Sequence, residues 1–176
     1  MKKLLISTLC LVSFALTACD KKPQDTKAGG VAGNSSQPAT ASLSNNNISD
    51  IKNDLLQLQT LNNTQTQETA NFQTEVIKAA QSGKVEEVRT VVDKMQAFVD
   101  GFNKNLDNIP LKSTEVSALK DKIKQSNNLG LELAQAGIAN PPDITKINEL
   151  QKKGTDLQKD ILTEMQNLQT KANNAK

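Results

Sequence analysis

VEEVRTVVDKMQAFVDGFNKNLDNI, residues 85–109, sets Val85, Val88, Val92, Met95, Val99, Phe102, Leu106 and Ile109 three or four positions apart at every step. That spacing repeats an apolar side chain on one face of a helix and fits no strand, where the period is two. Upstream, Ile48, Ile51, Leu55, Leu58, Phe72, Val76 and Ala79 continue the rhythm with a polar gap; downstream, Val116, Leu119, Ile123, Gly130, Leu133 and Ala134 form a third set. A fourth runs through Ile144, Ile147, Leu150, Gly154, Leu157, Ile161, Met165 and Leu168. Valine and isoleucine favour strands by propensity, but their spacing here is helical, so the chain reads as all-α.

Start and stop residues place four helices near 47–81, 84–108, 113–136 and 141–173. Asn47 with Asp50 suits a first N-terminus, and Gly83 a first end. Pro110 ends the second helix, and Ser113 with Glu115 opens the third. Gly137 followed by Ile138 fits a Schellman ending, with Ile138 folding back on Leu133. Asn140-Pro141 then reads as an N-cap with proline at the first helical position. Short loops between long helices predict an antiparallel up-down-up-down four-helix bundle whose first and last helices are the longer ones. With the loop ends level, the surplus of helices one and four extends as a two-helix stalk at the end where the chain enters. Equal spacing about each loop also sets Phe98 level with Ile123 and Gly154, and Phe72 level with Val92, Gly130 and Ile147. A helical glycine costs about 1 kcal/mol against alanine, so both are read as making room for a ring, with loose packing or a bend as the alternative.

At the other end of the chain, Lys2 and Lys3 precede Leu4–Leu16, apolar except for Ser7, Thr8 and Ser13. A run of about thirteen residues is too short to span a bilayer, which takes about twenty. It closes on Leu16-Thr17-Ala18-Cys19. Charged start, apolar run and Leu-x-Ala-Cys in register resemble a bacterial lipoprotein signal peptide over residues 1–19. The resemblance implies cleavage before Cys19, a diacylglycerol on its sulfur, and a fatty acid such as palmitate on its new amino terminus. It implies a lipid-anchored protein of the bacterial cell envelope. Asp20 after the cysteine resembles the signal that holds such proteins on the periplasmic face of the inner membrane, with the outer membrane as the alternative.

Residues 20–46, DKKPQDTKAGGVAGNSSQPATASLSNN, are rich in Gly, Ser, Pro, Ala and Lys and lack periodicity. Such a segment buries too little apolar surface to offset its ordering entropy and is expected to be a disordered tether. Its root-mean-square span is roughly 30 Å and its reach about 90 Å. The Ser/Ala/Pro/Thr stretch at 35–44 is an O-glycosylation candidate, with an unmodified spacer the plainer reading. The expected organisation is therefore a signal peptide (1–18), lipidated cysteine and linker (19–46), and helical body (47–176).

Cleavage before Cys19 leaves 158 residues (176 − 18), and it removes two lysines and no acid, so nineteen basic face nineteen acidic side chains. A neutral chain whose one arginine is Arg89 lacks the footprint of a nucleic-acid binder. No histidine, tryptophan or tyrosine is present. Without histidine there is no Glu-x-x-His di-iron site, no histidine-ligated haem and no Ser-His or Cys-His nucleophile. Cys10 falls in the signal and Cys19 is taken by lipid, which leaves neither disulfide nor free thiol. Zinc would have only carboxylates.

Carboxylate pairs are explained without catalysis. Glu86-Glu87 sits in a first helical turn, where acids complement the dipole. Asp156 and Asp160 lie within reach of Lys152, Lys153 and Lys159 as solvent-facing pairs. Asn62–Thr69, NNTQTQET, interrupts the first apolar stripe; it suits an exposed stretch beside a wider gap, or a hinge or partner seam. Ser126 and Asn127 suit a role in fixing helix register.

No cofactor, metal or catalytic residue is expected, and Cys19, as the lipidation point, is the single site residue. The function expected is that of a non-catalytic envelope lipoprotein whose helices contact another envelope protein or a second copy. The alternatives are an apolar-ligand carrier for lipid or fatty acid, which requires a void of a few hundred Å³, and an immunity or exclusion lipoprotein.

Overall fold

The computed structural model describes residues 42–174. The signal segment, Cys19 and the tether as far as residue 41 lie outside the described residues. Four helices follow in order: α1, Ile48–Ser82; α2, Val85–Asp107; α3, Thr114–Ile138; and α4, Ile144–Asn173. Among the described residues the nearest thing to a strand is an isolated parallel bridge between Ser44 and Ser113. The helical reading of the whole body is therefore correct, and α1 and α4 are the longer pair, 35 and 30 residues against 23 and 25.

Caps explain most boundaries. The Asn47 side chain accepts from the Asp50 amide at 3.3 Å, satisfying one of the orphan donors of the first turn. Gly83 ends α1 with φ at 68°, a left-handed conformation that costs other residues a Cβ clash. At α4 the structure corrects the sequence reading. Asn140-Pro141 does not start the helix; Pro142 disfavours helical geometry at Pro141, and the start moves to Asp143, whose carboxylate accepts from the Lys146 amide at 3.0 Å. The Schellman ending is also absent. α3 runs through Gly137 to Ile138, and Ala139 caps it in an extended conformation.

Cross-helix pairs run in opposite order on successive helices. Glu75 meets Lys94 and Phe72 meets Phe98 between α1 and α2; Asp107 meets Lys124 and Asn103 meets Asn127 between α2 and α3. Glu115 meets Lys171 and Lys122 meets Glu164 between α3 and α4. Numbers fall on one helix as they rise on the next, as antiparallel neighbours require.

Two apolar clusters hold the bundle. The larger joins all four helices through Ile51, Leu58, Leu106, Val116, Leu119, Ile161, Leu168 and others. The smaller joins Phe72, Met95 and Val99, with Leu131 and Ala134 packed against them, and draws on α1, α2 and α3. This overturns the predicted two-helix stalk. Ile51 near the start of α1 and Ala172 near the end of α4 belong to the four-helix cluster. The reason is that α2 stops at Asp107 and six residues intervene before α3. That link lets α3 begin level with the first turns of α1.

The glycines behave differently from expectation too. A Cβ on Gly154 would meet nothing within 4 Å, and one on Gly130 would meet the Met95 methyl at 3.8 Å, an ordinary contact with no ring. The rings pack on one another instead, Phe72 on Phe98 at 5.7 Å and Phe98 on Phe102 at 6.4 Å between centroids. Asn62–Thr69 is an unbroken part of α1.

Candidate functional site

Asp54 occupies the apolar phase of α1, three residues after Ile51 and four before Leu58, and is 0% exposed. Its Oδ2 accepts three hydrogen bonds, from the amides of Lys112 at 2.9 Å and Ser113 at 2.7 Å and from the Ser113 hydroxyl at 2.7 Å. Ser113 is also 0% exposed. It holds the N-cap position of α3, as the sequence suggested, but its hydroxyl is given to Asp54 and makes no capping bond. A buried carboxylate is tolerable when hydrogen bonds replace its water. Here they come to one oxygen; Oδ1 is buried with no partner. A serine hydroxyl on an aspartate has the look of a nucleophile pair, but neither group reaches the surface. Their arrangement fastens the α2–α3 link to α1. Sequence reasoning passed over Asp54, although an acid in phase with Ile51 and Leu58 was a usable signal.

Beside this clasp, the last residues assigned to the tether are docked. The Ser44 amide donates to the Lys112 carbonyl at 2.7 Å, and the Thr114 amide donates to the Ser44 carbonyl at 2.9 Å. The Ser44 hydroxyl donates to Asp50 at 2.7 Å, and the Asn46 amide to Glu115 at 2.8 Å. Lys171 of α4 reaches both the Asn46 side chain and Glu115. Burial pushes the Glu115 carboxyl up, but the Asn46 amide, its own amide, the Thr114 hydroxyl and the Lys171 charge together hold it below the usual range. The contacts of the helical body therefore extend upstream at least to Ser44.

An apolar cleft of about 80 Å³ lies midway along the bundle, between Leu58 of α1, Phe98 and Phe102 of α2, Ile123 of α3 and Ile161 of α4. Asn62 and Thr69, from the polar stretch, stand at its wall with Ser126 and Asn127. Asn127 donates to Asn103 at 3.0 Å and so ties α3 to α2, in line with a register role. A hollow of about 420 Å³ is larger, but it is a shallow, mainly polar surface along α3, bordered by Asp121, Lys124 and Glu132. Ligand pockets for apolar molecules run from about 300 Å³ upward. Neither hollow combines that size with apolar walls.

The outer face of α1 is a further feature that sequence reasoning missed. Leu56, Thr60, Asn63 and Gln67 follow one another in steps of four, three and four, and the series continues through Ala70, Thr74, Ile77 and Gln81; all eight are exposed. Leu56, Ala70 and Ile77 each lie two residues before the buried Leu58, Phe72 and Ala79. Two residues turn a helix by about 200°, so the series runs opposite the core. None of the eight is charged. Exposed positions elsewhere carry Asp93, Lys94, Asp100 and Lys104 on α2, and Lys152, Asp156, Lys159 and Asp160 on α4. Leu56 and Ile77 are 52% and 51% exposed. The available signal was the absence of any charge from Leu55 to Gln67.

The charged pairs themselves are of surface type. Glu86 and Glu87 do lie in the first turn of α2, and Glu87 pairs with Lys84 at 2.8 Å. Lys152 pairs with Asp156 at 2.7 Å, as its spacing predicts. Lys122 binds Glu164, and that hydrogen bond holds the ammonium above its usual pKa despite partial desolvation.

Among the described residues no helix is long and apolar enough to cross a membrane, and no three acidic or cysteine side chains gather where a metal could be held. Cys19 is outside the described residues. No curated protein and no solved structure matches the chain. One family model matches residues 52–173, nearly the whole helical body and more than half of the chain. With its four-helix body and lipobox-like Cys19, the chain belongs to the family described as uncharacterised lipoprotein PM1805.

Proposed function

We propose that the protein is a non-catalytic, lipid-anchored envelope protein that binds another protein through the outer face of α1. The observation that carries this reading is the charge-free series from Leu56 to Gln81. A solvent-facing helix surface is normally marked by charged side chains, and interaction surfaces are depleted of them at their centres. Membership in a lipoprotein family supports attachment to the envelope. Asp20 after the anchoring Cys19 favours the periplasmic face of the inner membrane. A carrier for fatty acid or lipid is disfavoured, because a cleft of about 80 Å³ has no room for an acyl chain.

Cross-linking in intact cells, followed by affinity capture of this chain, tests the reading. One dominant cross-linked species is expected, and Leu56→Asp with Ile77→Asp should abolish it while leaving the far-UV circular dichroism unchanged. Recovery of monomer alone, or a species indifferent to both substitutions, would refute it.

A further inference from the structure

We infer that the bundle is built as two units, and that the half beyond Asn62–Thr69, away from Ser44, opens by itself while the half beside Ser44 stays folded. The inward phase of α1 runs Leu58, Asn62, Gln65, Thr69, Phe72 in steps of four and three. Its three middle residues are polar and partly buried, between two buried apolar ones. The other helices are weak at the same level. Phe72 on Phe98 sets Thr69 opposite Gly101, each three residues from its ring. Asn103 against Asn128 sets Gly101 opposite Gly130, and Lys122 against Glu164 brings Gly154 within about one turn of Gly130. A Cβ would meet nothing within 4 Å at Gly101 or Gly154, and only the Met95 methyl at 3.8 Å at Gly130. Packing therefore does not demand these glycines, and each lowers helix propensity relative to alanine.

This seam divides the core. The apolar cleft of about 80 Å³ lies in it, walled by Leu58, Leu106 and Ile161 of the larger cluster and by Val99 of the smaller. Empty space between two clusters forfeits the contacts that would couple them. Nine buried apolar residues from all four helices make the cluster beside Ser44, against three from α1 and α2 in the far one. Ala79, Val92, Ala136 and Leu150 are buried in the far half but belong to neither cluster, and Ile77, Val85 and Ile144 there are more than half exposed. Polar ties divide in the same way. The Asp54 clasp and the pairs of Asp107 with Lys124, Glu115 with Lys171 and Lys122 with Glu164 all lie on the Ser44 side. Beyond the seam, among the described residues, Glu75 with Lys94 is the one ion pair that joins two helices. The cost of an opening follows the apolar surface it exposes, so the thin half opens more readily than the whole molecule unfolds. Opening brings Phe72, Met95 and Val99 to solvent in a minor form of the native protein.

Native-state hydrogen exchange of the full-length chain in detergent micelles, read by mass spectrometry of proteolytic fragments, tests the division. Amides of residues 72–98 and 131–150 are expected to exchange about 100-fold or more faster than those of 51–58, 116–123 and 161–168. Ile161→Ala weakens the half beside Ser44. It should speed exchange there by about 30-fold or more and leave the far half unchanged, because the far half opens without disturbing residue 161. Ile161→Val, a milder change, should give the same pattern with a several-fold effect, which serves if the alanine variant folds poorly. Met95→Ala should speed both halves, because global unfolding also loses the far cluster. Equal rates in the two halves of the parent chain would overturn the proposal. So would a far half that accelerates together with the near half in the Ile161 variants.

Discussion

Replacing Asp54 by alanine removes the acceptor for three donors at once: the Lys112 amide, the Ser113 amide and the Ser113 hydroxyl. A donor left unsatisfied in the interior costs about 1–3 kcal/mol. Ser113 is fully buried, so its two donors count in full; Lys112 is exposed and its amide can turn to water. Losing the carboxylate returns something, because one of its oxygens is buried without a partner. Two such donors give about 2–6 kcal/mol, and the net loss after that return is about 2–5 kcal/mol, a large share of the about 5–15 kcal/mol typical of a domain. Asp54→Asn retains one oxygen for the three donors and sets an amide where the unpaired oxygen stood, so it should cost less, about 1–2 kcal/mol. With neither tryptophan nor tyrosine in the chain, the assay is urea unfolding followed by far-UV circular dichroism. At a slope of about 2 kcal/mol per molar urea, Asp54→Ala lowers the midpoint by about 2 M and Asp54→Asn by less than half that. A midpoint for Asp54→Ala within about 0.5 M of the parent would show that the clasp does not hold the α2–α3 link, and the account of the missing stalk would fail with it.

Three further outcomes follow from the same structure and a fourth from the sequence. Glu115 titrates below its usual 4.5 when folded, so its contribution is present above that pH and is lost as pH falls through the folded value; Glu115→Gln should therefore flatten the acid limb of stability against pH. Lys122 titrates above its usual 10.5, so its contribution is full below that pH and fades as pH rises beyond it, and Lys122→Met should flatten the alkaline limb instead. Ile161→Ala, in the four-helix cluster and 1% exposed, should cost about 2–5 kcal/mol in urea unfolding, whereas Leu162→Ala, the next residue and 43% exposed, should cost under about 0.5 kcal/mol. Cys19→Ser should move the protein from the membrane to the soluble fraction; unchanged fractionation would contradict lipid anchoring at that residue.

Helix positions were legible because burial imposes its period directly on the chain. α2 was read to within a residue at each end, since Val85 to Leu106 keep one phase without a gap. Ends set by tertiary contacts were not legible. Asp143 caps α4 only because two prolines precede it, and Ser113 loses its capping role to an aspartate 59 residues away. The stalk failed for a related reason: local spacing reports helix lengths, but their relative heights depend on where a link such as 108–113 is pinned. Periodic reading also looks for apolar positions. It therefore found the buried side of α1 and overlooked the opposite side, where the signal is missing charge.

If Cys19 carries the proposed lipid, the docking of Ser44 beside Lys112–Thr114 has a mechanical meaning. Tension arriving along the leader does not reach a frayed helical turn that could unwind residue by residue. It meets the two backbone bonds of Ser44, backed by Asn46 on Glu115 and by Lys171 from the last helix. Several bonds must give way together before α1 feels the load, so strain from outside is shared among the first, third and fourth helices.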